Sequence, residues 1–410
     1  MLWPEKTKQR STGFTEKYTY FGKEYMREIY FDNSATTRVY PEVAELMKRT
    51  MEEDYGNPSS KHTKGFDAEK IFRNARQQVA DTLKVKPREI IFTSGGTESN
   101  NTVIFGTALA KRKQGKHIIS SQVEHAAIYR PLDTLAELGY EITYLPVDSK
   151  GHISLDDLRA AIRPDTILVS IMHVNNEIGA IEPVEEIGRI VKECNPNTWF
   201  HTDAIQSYGK LTLRPKKQNI DMLSVSGHKI HGPKGIGFLY VDEKIRLRPM
   251  IYGGGQQEDM RSGTHNVPGI AGMGLAAELA YKDHDEKIKR IMDIKNYFID
   301  EVSKISGVTV NSERGEASAP NIVSVSFEKV RAEVLLHALE EKGIYVSSGS
   351  ACSSNHPGIS GTLKAIGVRP ELLDSTIRFS FGMFNEKEEV DICMEALKEL
   401  VPVLRRFTRF

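Results

Sequence analysis

Residues 221–241 read DMLSVSGHKIHGPKGIGFLYV. An apolar run stops at Ser226 and Gly227, and Lys229 follows at once between His228 and His231. A lysine directly after an apolar strand, among glycine, serine and histidine, is placed to face a ligand; the bland alternative is a surface turn lysine. A phosphate-binding P-loop is excluded, because Pro233 stands between Gly232 and Lys234 and neither Ser nor Thr follows that lysine. His228 and His231 have no acidic or cysteine partner at ligand spacing, so no metal site is expected.

Outward from this stretch, from about residue 40 to 275, short β-branched apolar runs alternate with longer segments of helical period, the pattern of parallel βαβ units. The strand candidates are IIFTS, HIISSQ, ITYLP, ILVSIMHV, TWFHTD and DMLSVS. Helical spacing of three and four marks the stretch after Gly96 and residues 132–138, 155–162 and 184–192. A mainly parallel sheet covered by helices follows. Beyond about 275 come a long charged helical stretch, NIVSVSF, a helix over 332–342, IYVSSGSA and TIRFSFG, which read as a second, smaller α/β domain.

Ligands bind outside the carboxyl ends of the strands in an open parallel sheet, so the polar residues there are the ones to weigh. IIFTS leads into Gly95, Gly96 and Thr97 and then a helical stretch, which offers backbone N–H groups and a hydroxyl to a phosphate. An ordinary strand-to-helix turn reads the same way. HIISSQ leads to Glu124 and His125, ILVSIMHV to Asn175 and Asn176, and TWFHTD ends on Asp203 with Gln206 just beyond. Singly, each is more often a turn or cap residue than a reactive one. Together, a phosphate cup, an aromatic ring, a buried-looking carboxylate and a lysine describe a pocket for pyridoxal 5'-phosphate. The lysine would form a Schiff base, and the carboxylate would pair with the pyridinium nitrogen.

At 410 residues two domains are expected. Lys plus Arg and Asp plus Glu both total 55, so no net field draws nucleic acid or an anionic membrane surface. Only three cysteines are present, without a C-x-x-C pair, which argues against a disulfide framework and for a reducing, cytoplasmic setting. The least polar run, GIAGMGLAA from Gly269, is too short to span a bilayer. Residues 1–25 are polar, mixed in charge, and read as a tail or extension. One cysteine stands apart: in VSSGSACSSNHPGISG, from Val346, Cys352 sits among serines, glycines and a proline with almost nothing apolar around it. That composition favours a reactive thiol over a structural one.

TSGGTESNN, VEHAAI, MHVNNEIG, HTDAIQSYGK, SGHKIHGPKGIG, MRSGT, SSGSACSS and STIRFSFG, in this order, closely resemble the cysteine desulfurases, pyridoxal-phosphate enzymes of the class V aminotransferase group. The resemblance runs from about Ile29 to the C-terminal region. It implies the type I pyridoxal-phosphate transferase fold, an α/β architecture with a large domain on a mainly parallel seven-stranded sheet and a smaller α/β domain. Residues 40–275 would be the large, cofactor-binding domain, and residues 26–39 with 276–410 the small domain carrying the Cys352 loop. It further implies that Lys229 is the Schiff-base lysine and that His125 stacks on the ring as a candidate acid or base. Asp203 would hold the ring nitrogen, and Gln206 and Asn176 would lie near the ring oxygen and the substrate. Gly96, Thr97, Ser226 and His228 would bind the phosphate, joined by Thr264 from the other subunit of a homodimer. Arg378 would hold the substrate carboxylate, and Cys352 would be the nucleophile.

The reaction so implied takes sulfur from L-cysteine, leaves a persulfide on Cys352 and releases L-alanine. A persulfide carrier belongs on a loop that can swing, and the loop's Ser, Gly and Asn residues permit that. The sulfur acceptor would be an iron–sulfur scaffold or a tRNA-thiolation enzyme. Alternatives of the same fold are a selenocysteine lyase and an aminotransferase for a small amino acid with Cys352 incidental; a cofactor-free scaffold in a sulfur-transfer complex is a further one.

Overall fold

The computed structural model describes residues 17–20, 23–26, 28–348 and 360–407. Seven strands form its central sheet, in the order Ile90–Thr93, Gly237–Val241, Met222–Ser226, Trp199–Asp203, Thr166–Ser170, His117–Ser121 and Glu141–Leu145. The last five pair in parallel, and Gly237–Val241 runs antiparallel to both of its neighbours. Every strand except the outermost, Glu141–Leu145, is buried on nearly all positions, which is why these segments read as continuous apolar runs rather than as an alternation. Successive side chains serve opposite faces: Ile90 and Phe92 join a core with Phe72, Val79 and Phe200, whereas Ile91 joins one with Ile104, Ile118 and Leu132.

The covering helices carry the expected spacing. Val184–Cys194 buries Val184, Ile187, Ile190 and Val191. Thr63–Leu83 buries Ala68, Phe72, Ala75, Val79 and Leu83, and it ends where Lys84 takes a left-handed conformation, φ 57°. The run GIAGMGLAA lies in helix Val267–Tyr281, packed on Pro41–Glu52 and Thr63–Leu83. A Cβ on Gly274 would come within 2.6 Å of the Ala75 Cα, so the small residues there permit the close helix approach. This helix runs past residue 275 and buries Ala276 and Ala277 in the first core; the chain turns only at Asp283, φ 52°. Among the described residues no helix is long and apolar enough to cross a membrane.

A second, four-stranded antiparallel sheet has the order Val308–Val310, Ile322–Phe327, Thr376–Ser380, Ser347–Ser348. Beside it Ile29–Tyr30 pairs in parallel with Ile344–Tyr345, and Ile29 and Phe31 enter the core of Phe298, Phe327, Phe379 and Leu397. The Phe298 ring lies 4.6 Å from that of Phe379 and 5.4 Å from that of Phe381.

Three local departures from the sequence reading have physical causes. ILVSIMHV is regular strand only to Ser170, although the Ile171 and His173 N–H groups still donate to the carbonyls of His201 at 3.2 Å and Asp203 at 3.0 Å as the chain approaches the Asn175 turn. The helix expected over 132–138 starts earlier, as Ala126–Glu137, because His125 caps it. Lys17–Tyr20 and Lys23–Met26, which apart from Met26 fall in the stretch read as a tail, pair as antiparallel strands, in keeping with their Tyr and Thr content.

Candidate active site

Residues just past the strand ends converge on one cleft of about 350 Å³, lined by Gly96, Thr97, His125, Asn176, Asp203, Gln206, Ser226, His228, Lys229 and Arg378. At the end of Ile90–Thr93 the chain turns sharply through Gly95, φ 147°, a conformation that side chains rarely adopt, and helix Gly96–Lys111 starts at once. The turn fits under the sheet because Gly237 opposes it: a Cβ on Gly237 would lie 2.9 Å from the Gly95 Cα. The uncapped start of helix Gly96–Lys111, Thr97, Ser226 and His228 all line the cleft. Burial and the nearby Lys229, Lys234 and Lys210 pull His228 down to about 4, so its ring is neutral at neutral pH, with Nδ1 3.2 Å from Thr36 Oγ1.

At the floor, Asp203 is 4% exposed. Its Oδ2 accepts from Asn100 Nδ2 at 2.7 Å, and its Oδ1 from the Ile205 N–H at 2.9 Å. Burial pushes its carboxyl up, against the opposing pull of the Ile205 N–H, His125 and Lys229. His125 caps helix Ala126–Glu137, with its Nδ1 accepting from the Ala127 N–H at 3.1 Å; in the neutral ring Nε2 therefore carries the proton.

Lys229 Nζ donates to the carbonyls of Ser34 at 2.5 Å and Ala35 at 2.6 Å. These carbonyls are held there because residues 37–40 run along residues 228–231: the Thr37 N–H and hydroxyl both donate to the His228 carbonyl, at 2.8 and 2.9 Å, and the Tyr40 N–H donates to that of His231 at 3.0 Å. His231 places Nδ1 2.8 Å from the Arg38 carbonyl. The two histidines beside Lys229 thus brace the lysine's segment.

Arg378, from Thr376–Ser380, is 4% exposed. One terminal nitrogen donates to the Asn176 carbonyl at 2.8 Å and the other to Asp32 Oδ1 at 3.0 Å. Among the described residues three N–H groups of the guanidinium have no acceptor, including the buried Nε. Gln206 donates Nε2 to the Ser34 carbonyl at 2.9 Å, and its buried Oε1 has no partner among the described residues.

Thr264 is exposed and does not line the cleft of its own chain. Cys352 lies outside the described residues. Asn175, named with Asn176 from the sequence, braces the turn instead: its Oδ1 accepts from the Glu177 and Ile178 N–H groups, and its Nδ2 reaches the Val123 carbonyl at 3.0 Å. Sequence reasoning assigned no role to Asp32, Ser34, Ala35, Asn100 or Glu177. The first three follow a short apolar run in IYFDNSATT, the same polar-after-strand signal used elsewhere. Glu177 accepts from Ser360 Oγ at 2.5 Å, and Ser360 in turn caps helix Gly361–Ala365. Burial pushes the Glu177 carboxyl up.

The donor set fits pyridoxal 5'-phosphate. Asp203 is a buried carboxylate that a ring cation would relieve of its desolvation, Gln206 Oε1 is an acceptor without a partner among the described residues, and the uncapped helix start, the Thr97 and Ser226 hydroxyls and the neutral His228 ring are groups suited to a phosphate.

The aminotransferase class V family pattern matches residues 29–393. The chain is 46% identical over 385 residues to the cysteine desulfurase IscS of Dictyoglomus turgidum, covering 94% of this chain and 97% of that protein. It is 45% identical over 382 residues to the cysteine desulfurase IscS of Methanosarcina thermophila, covering 93% and 94%. Among solved structures, a NifS-like protein superposes with a TM-score of 0.88 at 39% identity, over 92% of this chain and all of the other.

Proposed function

The chain belongs to the aminotransferase class V family and is a cysteine desulfurase dependent on pyridoxal 5'-phosphate, and from that premise we propose how its own residues divide the work. Lys229 is the attachment point of the cofactor, held until then by the Ser34 and Ala35 carbonyls. Gly96, Thr97, Ser226 and His228 hold the phosphate, and Asp203, kept in place by Asn100, holds the ring nitrogen. When bound, the cofactor supplies an electron sink for the charge left on the substrate α-carbon. Arg378 takes the substrate carboxylate through the N–H groups that Asp32 and Asn176 leave over. His125 exchanges a proton at Nε2, and Gln206 and Asn176 orient the ring oxygen and substrate.

Sulfur transfer goes to Cys352. The substrate C–S bond breaks, an S–S bond forms on Cys352, and the carbon skeleton takes up one proton and leaves as L-alanine. The sulfur then passes to an acceptor protein, an iron–sulfur scaffold or a tRNA-thiolation enzyme, in the cytoplasm. We read the protein as a homodimer in which Thr264 of one protomer reaches the phosphate end of the other's cleft; its exposure and its absence from its own cleft favour this.

The observation that carries this reading is the meeting of Lys229, Asp203, His125 and Arg378 at one cleft from four separate parts of the chain. The test is to add L-cysteine to purified protein and follow alanine, together with the mass of the peptide containing Cys352. Alanine with a gain of one sulfur atom on that peptide is expected. Keto-acid-dependent turnover without that sulfur would make it an aminotransferase instead.

A further inference from the structure

Behind the cleft, Lys210 belongs to none of the roles above. It follows the turn that starts at Asp203, and its Nζ donates to the Lys229 carbonyl at 3.2 Å. Lys210 and Lys229 both line a narrow recess of about 40 Å³, together with His231, Tyr40 and Lys287, and Lys229 also lines the cleft. The charged and titratable groups around Lys210 are almost all basic: Lys229, His228 and His231 from the segment it touches, and Lys287 from helix His284–Val302. Tyr40 is protonated at neutral pH, its hydroxyl pushed up to about 12 by burial. The nearby acids are Asp32, which is paired with Arg378, and Asp203 at the floor of the cleft; each interacts with Lys229, and neither is bonded to Lys210. Among the described residues no carboxylate bonds to Lys210.

We propose that Lys210 is a positioning residue for the attachment lysine: it pins the Lys229 backbone by its carbonyl and places a second cation behind it, which favours the uncharged amine of Lys229. The proposal rests on Lys229 being the attachment point. Attachment joins the Lys229 nitrogen to the cofactor's aldehyde carbon and releases one water, and only the amine without its extra proton can begin it. A like charge in a desolvated site lowers the amine's proton affinity. The influence is mutual. Burial first, and Lys229 second, pull Lys210 down to about 7, and because the repulsion is reciprocal, charge on either amine opposes charge on the other.

The test compares Lys210→Met, Lys210→Gln and Lys210→Arg with the unaltered protein, with folding checked by circular dichroism. Two readouts are taken: the pH dependence of the rate at which cofactor-free protein captures pyridoxal 5'-phosphate, and the pH midpoint of the bound cofactor's visible band. Both neutral variants should move both midpoints up by about one pH unit, with capture near neutral pH slowed about tenfold, and Lys210→Arg should stay at or below the unaltered midpoints. Unmoved midpoints in folded neutral variants would overturn the proposal. So would loss of folding in both neutral variants with retention in Lys210→Arg, which would make Lys210 a structural residue. Persistence of the visible band in Lys229→Ala, by contrast, would overturn the attachment assignment itself.

Discussion

Asp32 and Arg378, 346 residues apart in the chain, meet in a partly buried ion pair at 3.0 Å, with Arg378 lining the cleft. Burial pushes the Asp32 carboxyl up, while Arg378 and then Lys229 oppose that shift. The pair therefore does two opposed things to an incoming carboxylate: it holds the guanidinium in aim, and it competes for its charge. Asp32→Ala should raise KM for L-cysteine about tenfold with a smaller effect on kcat, because the aim is lost. Asp32→Asn keeps an acceptor and removes the competing charge, so its KM should stay within about threefold of the unaltered enzyme or fall. Steady-state kinetics on the two variants separate these effects; equal increases in KM would show that charge, not aim, is what Asp32 supplies.

Lys229→Ala should yield a colourless protein, since among the described residues no other lysine lines the cleft. Turnover should fall to the detection limit. The absorption spectrum of the purified variant is the check.

Asp203→Asn should still bind cofactor, because the phosphate end is untouched and Asn100 retains a partner. Turnover should drop by about a hundredfold or more, for a neutral amide gives the ring nitrogen no counter-charge. Full activity with normal cofactor content would place the ring elsewhere than over Asp203.

In Cys352→Ala, cofactor and L-cysteine should bind normally, and the spectral response to cysteine should persist. The persulfide should vanish, and alanine release with it. Cys194 is exposed on helix Val184–Cys194, and Cys393 is fully buried with its thiol pushed out of its reactive range, so neither substitutes. Alanine produced by the variant at the original rate would rule out the thiol mechanism.

Glu124, next to His125, is buried, and its carboxyl is pushed up to about 8 by burial, with the Met172 N–H and Ser121 hydroxyl opposing. In the unfolded chain a glutamate loses its proton near ~4.3. The stabilisation from holding that proton is complete below that value and is lost as pH rises through about 8. Between about pH 5 and pH 8 this group should cost the native state up to about 4 kcal/mol, a slope that Glu124→Gln removes. Urea unfolding of both proteins across that range measures it; parallel curves would contradict the assignment.

The strands and the cleft were legible because polar residues at strand ends interrupt apolar runs, as at Asp203 and Lys229. Asp32, Ser34 and Ala35 carry the same signal but act mainly through backbone carbonyls and a second-sheet partner, which no side-chain pattern announces. Glu177 escaped because its role is defined by Ser360, 183 residues later. The strand Gly237–Val241 was hidden by its direction: nothing in an apolar run tells parallel from antiparallel. Lys210 was quoted within HTDAIQSYGK, yet only its contact with the Lys229 carbonyl distinguishes it from a turn lysine.

Ile29 and Phe31 close onto Gly343 and Tyr345 through backbone bonds of 2.9 Å, and Asn33 reaches the Ser380 carbonyl at 3.0 Å. During synthesis on the ribosome, residues 28–33 leave the exit tunnel long before residues 344–380 exist. The central sheet, all of whose strands lie between residues 90 and 241, can assemble first, while this early segment waits without its partners. Arg378 cannot find Asp32 until the second sheet has formed around the returning segment, so a nascent chain stopped near residue 340 carries Gly96, Thr97, Ser226 and His228, the groups proposed to hold the phosphate, but not the Asp32–Arg378 pair proposed to grip a substrate carboxylate. Capacity to hold the cofactor is therefore expected to arise earlier in the life of each molecule than capacity to consume cysteine.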